Sequence, residues 1–280
     1  MIEEFHYRVG WRAHGGRAGH HAGSMAGGGI EFEGYVPLLA RPDPRHLDAK
    51  ATLADPFGQL MVRRFRQRAA IPVFMLADLS ASMGFAGAAH KMQLLARITA
   101  ALAYSAWRTG DPFGFFGCDE TIQWSLSLPL RWHKGLGEEL SQRLSSLRPK
   151  GRSASGLREA FAHLGRQRAL VFVVSDFHCS EAELAALLDA GTQHDLVPVV
   201  LWDSAEYERL PRWGWAELSD PETGARRRLF MRPTFAAQIR QHYLDRKQWL
   251  TRLFWARGRE PFFLVDRFDP DAMTRYFYQP

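Results

Sequence analysis

Two apolar runs of this 280-residue chain end in aspartate, and hydroxyl side chains crowd around both ends. In VFMLADLSASMG, Asp78 closes the run, and Ser80 and Ser82 follow at alternate positions. If the run is a strand, these three oxygens can converge on one small volume at the carboxyl edge of a sheet, where open α/β sheets bind ligands. ALVFVVSD ends the same way in Asp176, and the Gly- and Ser-rich segment GRSASGL supplies Ser153 and Ser155. This is a hard-oxygen set. Mg2+ takes about six oxygens and gives up its waters reluctantly, so hydroxyls, one or two carboxylates and retained water suit it; Mn2+ and Ca2+ are the alternatives. Serine hydroxyls are neutral, so an ion bound directly to them, with the aspartates acting partly through water, keeps most of its charge. Its open position then attracts a carboxylate from another protein. An aspartate at a strand end is commonly a helix cap, and a serine-rich turn often caps the next helix. The joint occurrence at two strand ends is what points to a metal.

Catalysis is the competing chemistry, as a metal-dependent hydrolase or phosphatase. Acyl-phosphate formation on Asp78 needs a second aspartate two residues on, where Ser80 stands. Ser80 or Ser82 as nucleophile needs a histidine base held by an acid, and the chain has no Gly-x-Ser-x-Gly elbow. His178 is the one histidine near the site in sequence and reads as a rim residue. The chain is therefore expected to bind and not to catalyse. An adhesion-type ligand-binding module is a third reading.

The elements that position these residues follow from periodicity. From Ile71 onward, short apolar runs alternate with amphipathic stretches, the pattern of a mostly parallel sheet with helices on both faces, a doubly wound α/β fold. The expected strands are Ile71 to Ala77, Phe113 to Gly117, Thr121 to Leu126, Ala169 to Ser175 and Leu196 to Trp202. Lys91 to Trp107 carries Leu94, Leu95, Ile98, Ala101, Leu102 and Ser105 on one stripe, and Leu157 to Leu164 is a shorter helix. Ser180 and Glu183 form a capping box for a helix closed by Gly191. Asp220, Pro221, Glu222, Thr223 and Gly224 make a hairpin turn between Trp215–Leu218 and Arg227–Met231. Thr234 is expected to cap a long helix with Arg240, Arg246, Lys247, Arg252 and Arg257 on its solvated side. A last strand spans Pro261 to Val265, and Asp269 with Pro270 opens a terminal helix.

Residues 10 to 34 are Gly-rich, with His14, His20 and His21 and no apolar period, and read as a loop or a partly disordered stretch. The division expected is an irregular Gly/Pro-rich extension over 1–68, packed on a metal-binding domain over 69–280. A hydrophobic share of 46% is enough for a sizeable core. No apolar run approaches the roughly 18 residues of a membrane span, and the N-terminus lacks an export pattern; a cytoplasmic location is expected. Cys118 and Cys179 read as two small hydrophobes, not a disulfide. The net charge of +6 is too scattered to predict nucleic-acid binding: Arg63, Arg64, Arg66 and Arg68 lie far in sequence from Arg226 to Arg228.

DLSASM, GRSASGLREAF and LVFVVSDF resemble the metal-ion-dependent adhesion site of von Willebrand factor A domains. GIEFEGYVPLLARPDPRHLDAKAT, LMVRRFRQRAAIPVFMLADLSASMGF and the DPETG turn resemble the bacterial von Willebrand factor A-like proteins found with MoxR-type AAA+ ATPases, the domain of unknown function fifty-eight. The resemblance covers about residues 28 to 280. It implies a metal held by Asp78, Ser80, Ser82, Ser155 and Asp176, a MoxR-like ATPase partner, and a client protein offering an Asp or Glu carboxylate. The chain would then be a chaperone-like adaptor in remodelling or maturation of that client. The family usually has Thr in the middle loop; counting back from Ala160 and Phe161 puts Ser155 there, with Ser153 as the alternative. Ala49 stands where the subfamily commonly has Trp, while Arg45 and Asp48 are retained.

Overall fold

The computed structural model describes residues 3–13, 18–40, 42–208, 210–211, 213–219 and 226–279. His14 and the turn residues Asp220 to Gly224 lie outside the described residues. The chain divides into two compact units, Arg8–Ile71 and a larger one formed by Met1–Tyr7 with Pro72–Pro280.

The smaller unit contains β1 (Ala18–Pro37), α1 (Ala49–Ala54) and β2 (Met61–Ala69). Here the expectation of a loop over residues 10–34 is corrected, because Ala18–Pro37 is a strand paired antiparallel with β2. Strand formation needs backbone partners more than an apolar period, and small residues let the partners approach: a Cβ on Gly19 would lie 2.3 Å from the Ala70 nitrogen. The ladder is irregular, with several register shifts. Asp48 caps α1 by accepting from Ala51 N at 2.9 Å and pairs with Arg63 at 2.6 Å, while Arg45 pairs with Asp43.

The larger unit contains β3 (Val73–Asp78), α2 (Lys91–Thr109), β4 (Phe113–Cys118), β5 (Leu128–Arg131), α3 (Leu136–Ser146), α4 (Gly156–Ala160), β6 (Leu170–Ser175), α5 (Glu181–Ala190), β7 (Asp195–Trp202), β8 (Gly214–Ser219), β9 (Arg226–Met231), α6 (Pro233–Trp255), β10 (Phe262–Val265) and α7 (Pro270–Tyr278). Six strands form one sheet in the order β10-β7-β6-β3-β4-β5, parallel except for β5; β8 and β9 form a separate hairpin. Alternation along the buried strands sorts the two faces. Phe74, Leu76, Val171 and Val173 join Leu157, Leu184, Leu250 and Phe254, so α4, α5 and α6 cover one face. On the other, Thr99 of α2 contacts the Met75 sulfur at 3.1 Å, and Phe172 meets the rings of Phe5 and of Phe277 in α7. The fold is thus a doubly wound α/β sheet with helices on both faces. No helix among the described residues is long and apolar enough to cross a membrane.

Three local expectations are corrected. Thr121–Leu126 is not a strand: Asp119 accepts from Thr121 N and from the Gln123 amide, the chain turns there, and the edge strand begins at Leu128. Thr234 does not cap α6, which starts one residue earlier with Pro233 in the first turn, where proline's fixed φ is already helical. Arg246 is half-buried and donates to the carbonyls of Phe177 and Cys179, each at 2.7 Å, where a fully solvated side chain was expected. Helix α3 was not anticipated; its Leu136, Leu140 and Leu144 are buried at a spacing of four. The capping box of Ser180 with Glu183 and the Asp269 cap of α7 are present.

Candidate metal centre

Chain order runs from β3 toward β4 on one side and through β6 toward β7 on the other, so the sheet's topological switch point lies between β3 and β6. Asp78 ends β3, and Asp176 directly follows β6. Both carboxylates are only 2% exposed. The Asp78 Oδ1 accepts from Ser80 N at 2.8 Å, and its Oδ2 accepts from the Ser175 hydroxyl at 2.6 Å. The Ser80 and Ser82 hydroxyls are 3.1 Å apart, and the Ser82 side chain helps hold the Asp176 carboxyl down. Asp78, Ser80, Ser82 and Asp176 therefore form a small set around one strand edge.

The middle loop reaches that edge through glycines. Ser80 bridges to Gly151, with Ala81 N donating to Gly151 O at 2.7 Å. A Cβ on Gly151 would lie 2.4 Å from the Asp119 Cβ, and one on Gly156 would lie 2.6 Å from the Thr121 carbonyl carbon, so both ends of GRSASG sit where only a missing side chain fits. Between them, the Ser153 and Ser155 hydroxyls are 3.1 Å apart, and Ser155 donates to Glu120 O. A cleft of about 220 Å³ is lined by Asp78, Ser153, Ser155, Arg158, Asp176 and Glu183, among others. Ser153 and Ser155 thus share a cleft with both aspartates.

Lys91 and Glu206 complete the electrostatics, and sequence reasoning missed both. The Lys91 side chain is 0% exposed; its Nζ lies 3.1 Å from Asp176 Oδ2 and 2.8 Å from Glu206 Oε1. Burial opposes the ammonium, but these two carboxylates outweigh it and raise the lysine above its ordinary value. Asp176 is held below the carboxylate range: burial pushes it up, and Lys91 foremost draws it down. Asp78 goes the other way, to about 6, through burial and then the charge of Asp176.

Other missed residues had signals. Lys91 stands one turn before Leu94 and Leu95 and so opens the apolar stripe of α2. Ser175 is a hydroxyl at the end of a fully buried strand, and also accepts from Phe177 N at 2.9 Å. Asp203 follows β7 as Asp176 follows β6. Its carboxylate accepts from Gly87, Ala88, Ala89 and Ala205 backbone N–H groups, fixing the segment that leads into Lys91. Burial raises the Asp203 carboxyl, yet these N–H donors outweigh it and hold it below the usual range. His178 stands at the rim, its ring near Trp202 and Tyr243, as the sequence led us to expect.

The donor set suits a small hard cation. Each of the four oxygens of Asp78 and Asp176 already accepts one hydrogen, from Ser80 N, Ser175 Oγ, Lys91 Nζ or His178 N. A carboxylate has about four lone-pair sites, so both carboxylates keep acceptor capacity for bridging water. Among the described residues no three His, Cys, Asp or Glu side chains gather into a group that could hold a metal ion.

A crystal structure of the conserved hypothetical protein BatB from Bacteroides thetaiotaomicron is similar at 14% identity and a TM-score of 0.45, over 75% of this chain and 98% of that one. The SpRpn10 VWA domain is similar at 12% identity and a TM-score of 0.35, over 48% of this chain and 76% of that one. A Paracoccus denitrificans protein named as an uncharacterized protein in the moxR 3' region is 43% identical over 98 residues, 35% of this chain and 93% of its own length. The family described as protein of unknown function DUF58 matches residues 43–248, more than half of the chain, and the chain therefore belongs to that family.

Proposed function

We propose that this chain is a metal-dependent protein-binding adaptor that works with a MoxR-type AAA+ ATPase in remodelling or maturing a client complex. The observation that carries the reading is the pairing of two buried carboxylates with serine hydroxyls at the switch point of a mostly parallel sheet, beside a cleft that Ser153 and Ser155 line. Ser80, Ser82 and Ser155 would hold Mg2+ or a similar ion directly, with Ser153 as the alternative to Ser155, and Asp78 and Asp176 would act through water. Bound there, the ion supplies a Lewis-acidic position that accepts an Asp or Glu carboxylate from the partner. The chain's own part is to orient the hydroxyls: Asp78 fixes the Ser80 backbone, and the Gly151 and Gly156 contacts fix the middle loop. The relative's location in the moxR 3' region supports an ATPase partner.

The test is co-purification of a MoxR-type ATPase with the tagged full chain in Mg2+ and in chelator. Capture that depends on Mg2+ and is lost in Asp78→Ala is expected. Capture unchanged by both treatments rejects the metal-dependent adaptor.

A further inference from the structure

Lys91 is a permanent positive charge built into the wall of the candidate centre. It is fully buried, and its ammonium is shared between Asp176 Oδ2 at 3.1 Å and Glu206 Oε1 at 2.8 Å. Its position is firmly set. Asp203 ties down the Gly87–Ala89 backbone just before it, and the Phe85 ring lies 5.8 Å from the ammonium. A divalent ion held by Asp176 would share that carboxylate with a buried ammonium, and at so short a range like charges repel with little screening.

We infer that Lys91 is a tethered competitor cation: it takes half of Asp176 for itself and keeps divalent-ion affinity low until a partner's carboxylate joins the site. The inference rests on the proposed metal centre. Glu206 is the counterweight, because it draws the ammonium away from Asp176. Lys91 is thus a positioning residue for Asp176, and partner and metal each bind better when the other is present. In the isolated chain the ammonium neutralises part of the site; in the complex the partner's negative charge offsets it.

Two substitutions push this arrangement in opposite directions. Lys91→Met keeps an unbranched side chain one atom shorter and removes the charge, and is expected to tighten Mg2+ and Mn2+ binding by about tenfold or more. Glu206→Gln commits the ammonium to Asp176 and is expected to weaken binding several-fold. A merely structural lysine predicts the same direction for both, since each breaks one buried ion-pair network. The measurement is calorimetric titration of the purified full chain with each ion, alongside thermal midpoints in chelator and in Mg2+. Mg2+ should raise the midpoint of Lys91→Met more than that of the unsubstituted chain. If Lys91→Met does not fold, Lys91→Gln takes its place: tighter binding than in the unsubstituted chain supports the inference, and equal or weaker binding overturns it. Same-direction or absent shifts in folded variants overturn the role of Lys91 while leaving the centre standing. No uptake by any of the three proteins, Lys91→Met included, overturns the centre and the lysine's role together.

Discussion

The ends of β3 and β6 carry carboxylates that are equally buried and lie on adjacent strands, yet the two acids are driven in opposite directions. Asp78 is pushed up to about 6 by burial and by its negative neighbour. Asp176 is equally deprived of water but is held below its ordinary value because Lys91 lies against it. The difference shows that depth alone does not decide the charge of a strand-end acid. The position of one ammonium does.

The largest expected effect is at Asp176. In chelator, Asp176→Asn should lose about 3–5 kcal/mol of stability, because it leaves a buried lysine with one carboxylate where it had two; a loss no greater than that of Asp78→Asn would erase the contrast. Asp203→Asn comes next, at about 2 kcal/mol near neutral pH, since one amide oxygen must replace a carboxylate that accepts from four backbone N–H groups. Its folded-state pKa is lowered. The stabilisation is therefore complete above the unfolded value of about 3.9 and is lost as pH falls through the lower folded value. Thermal midpoints of the two proteins should converge in acid. Asp78→Asn should cost least of the three acids and match or exceed the unsubstituted chain by about 1 kcal/mol at pH 7. The sign is reversed because this pKa is raised: the favourable contribution is present below about pH 4 and is lost as pH rises through about 6. A difference profile that is flat from pH 4 to 7 would contradict it. The smallest stability change, within about 0.5 kcal/mol, belongs to exposed Ser155→Ala. Its effect should instead be a loss of Mg2+ affinity of about tenfold or more, with Ser153→Ala unaffected; the opposite ranking would move the middle-loop ligand to Ser153.

Much of this edge was legible in the sequence because it depends on local pattern. Apolar runs ending in Asp78 and Asp176 became strands ending at the sheet's carboxyl edge, and the serines lie beside them. Lys91, Glu206 and Asp203 were not anticipated, because their meaning comes from partners 85 to 116 residues away. A lysine in the first turn of an amphipathic helix ordinarily snorkels to water; only the packed sheet makes it internal. The glycine-rich stretch before Pro37 failed differently. It has no side-chain period of its own, and its strand is imposed by pairing with Met61–Ala69. Thr121–Leu126 has the apolar content of a strand, but the Asp119 side chain turns the chain there.

Phe177 has a φ of 51°, a left-handed backbone that a bulky residue adopts only when its surroundings compel it. Its buried ring rests edge-on against Phe254, and Arg246 grips its carbonyl, both from α6. Asp176 is the preceding residue. The last turns of the long helix and the acid at the strand tip are consequently tied through a single residue, so the seating of α6 and the left-handed turn that follows Asp176 are not independent choices of the chain.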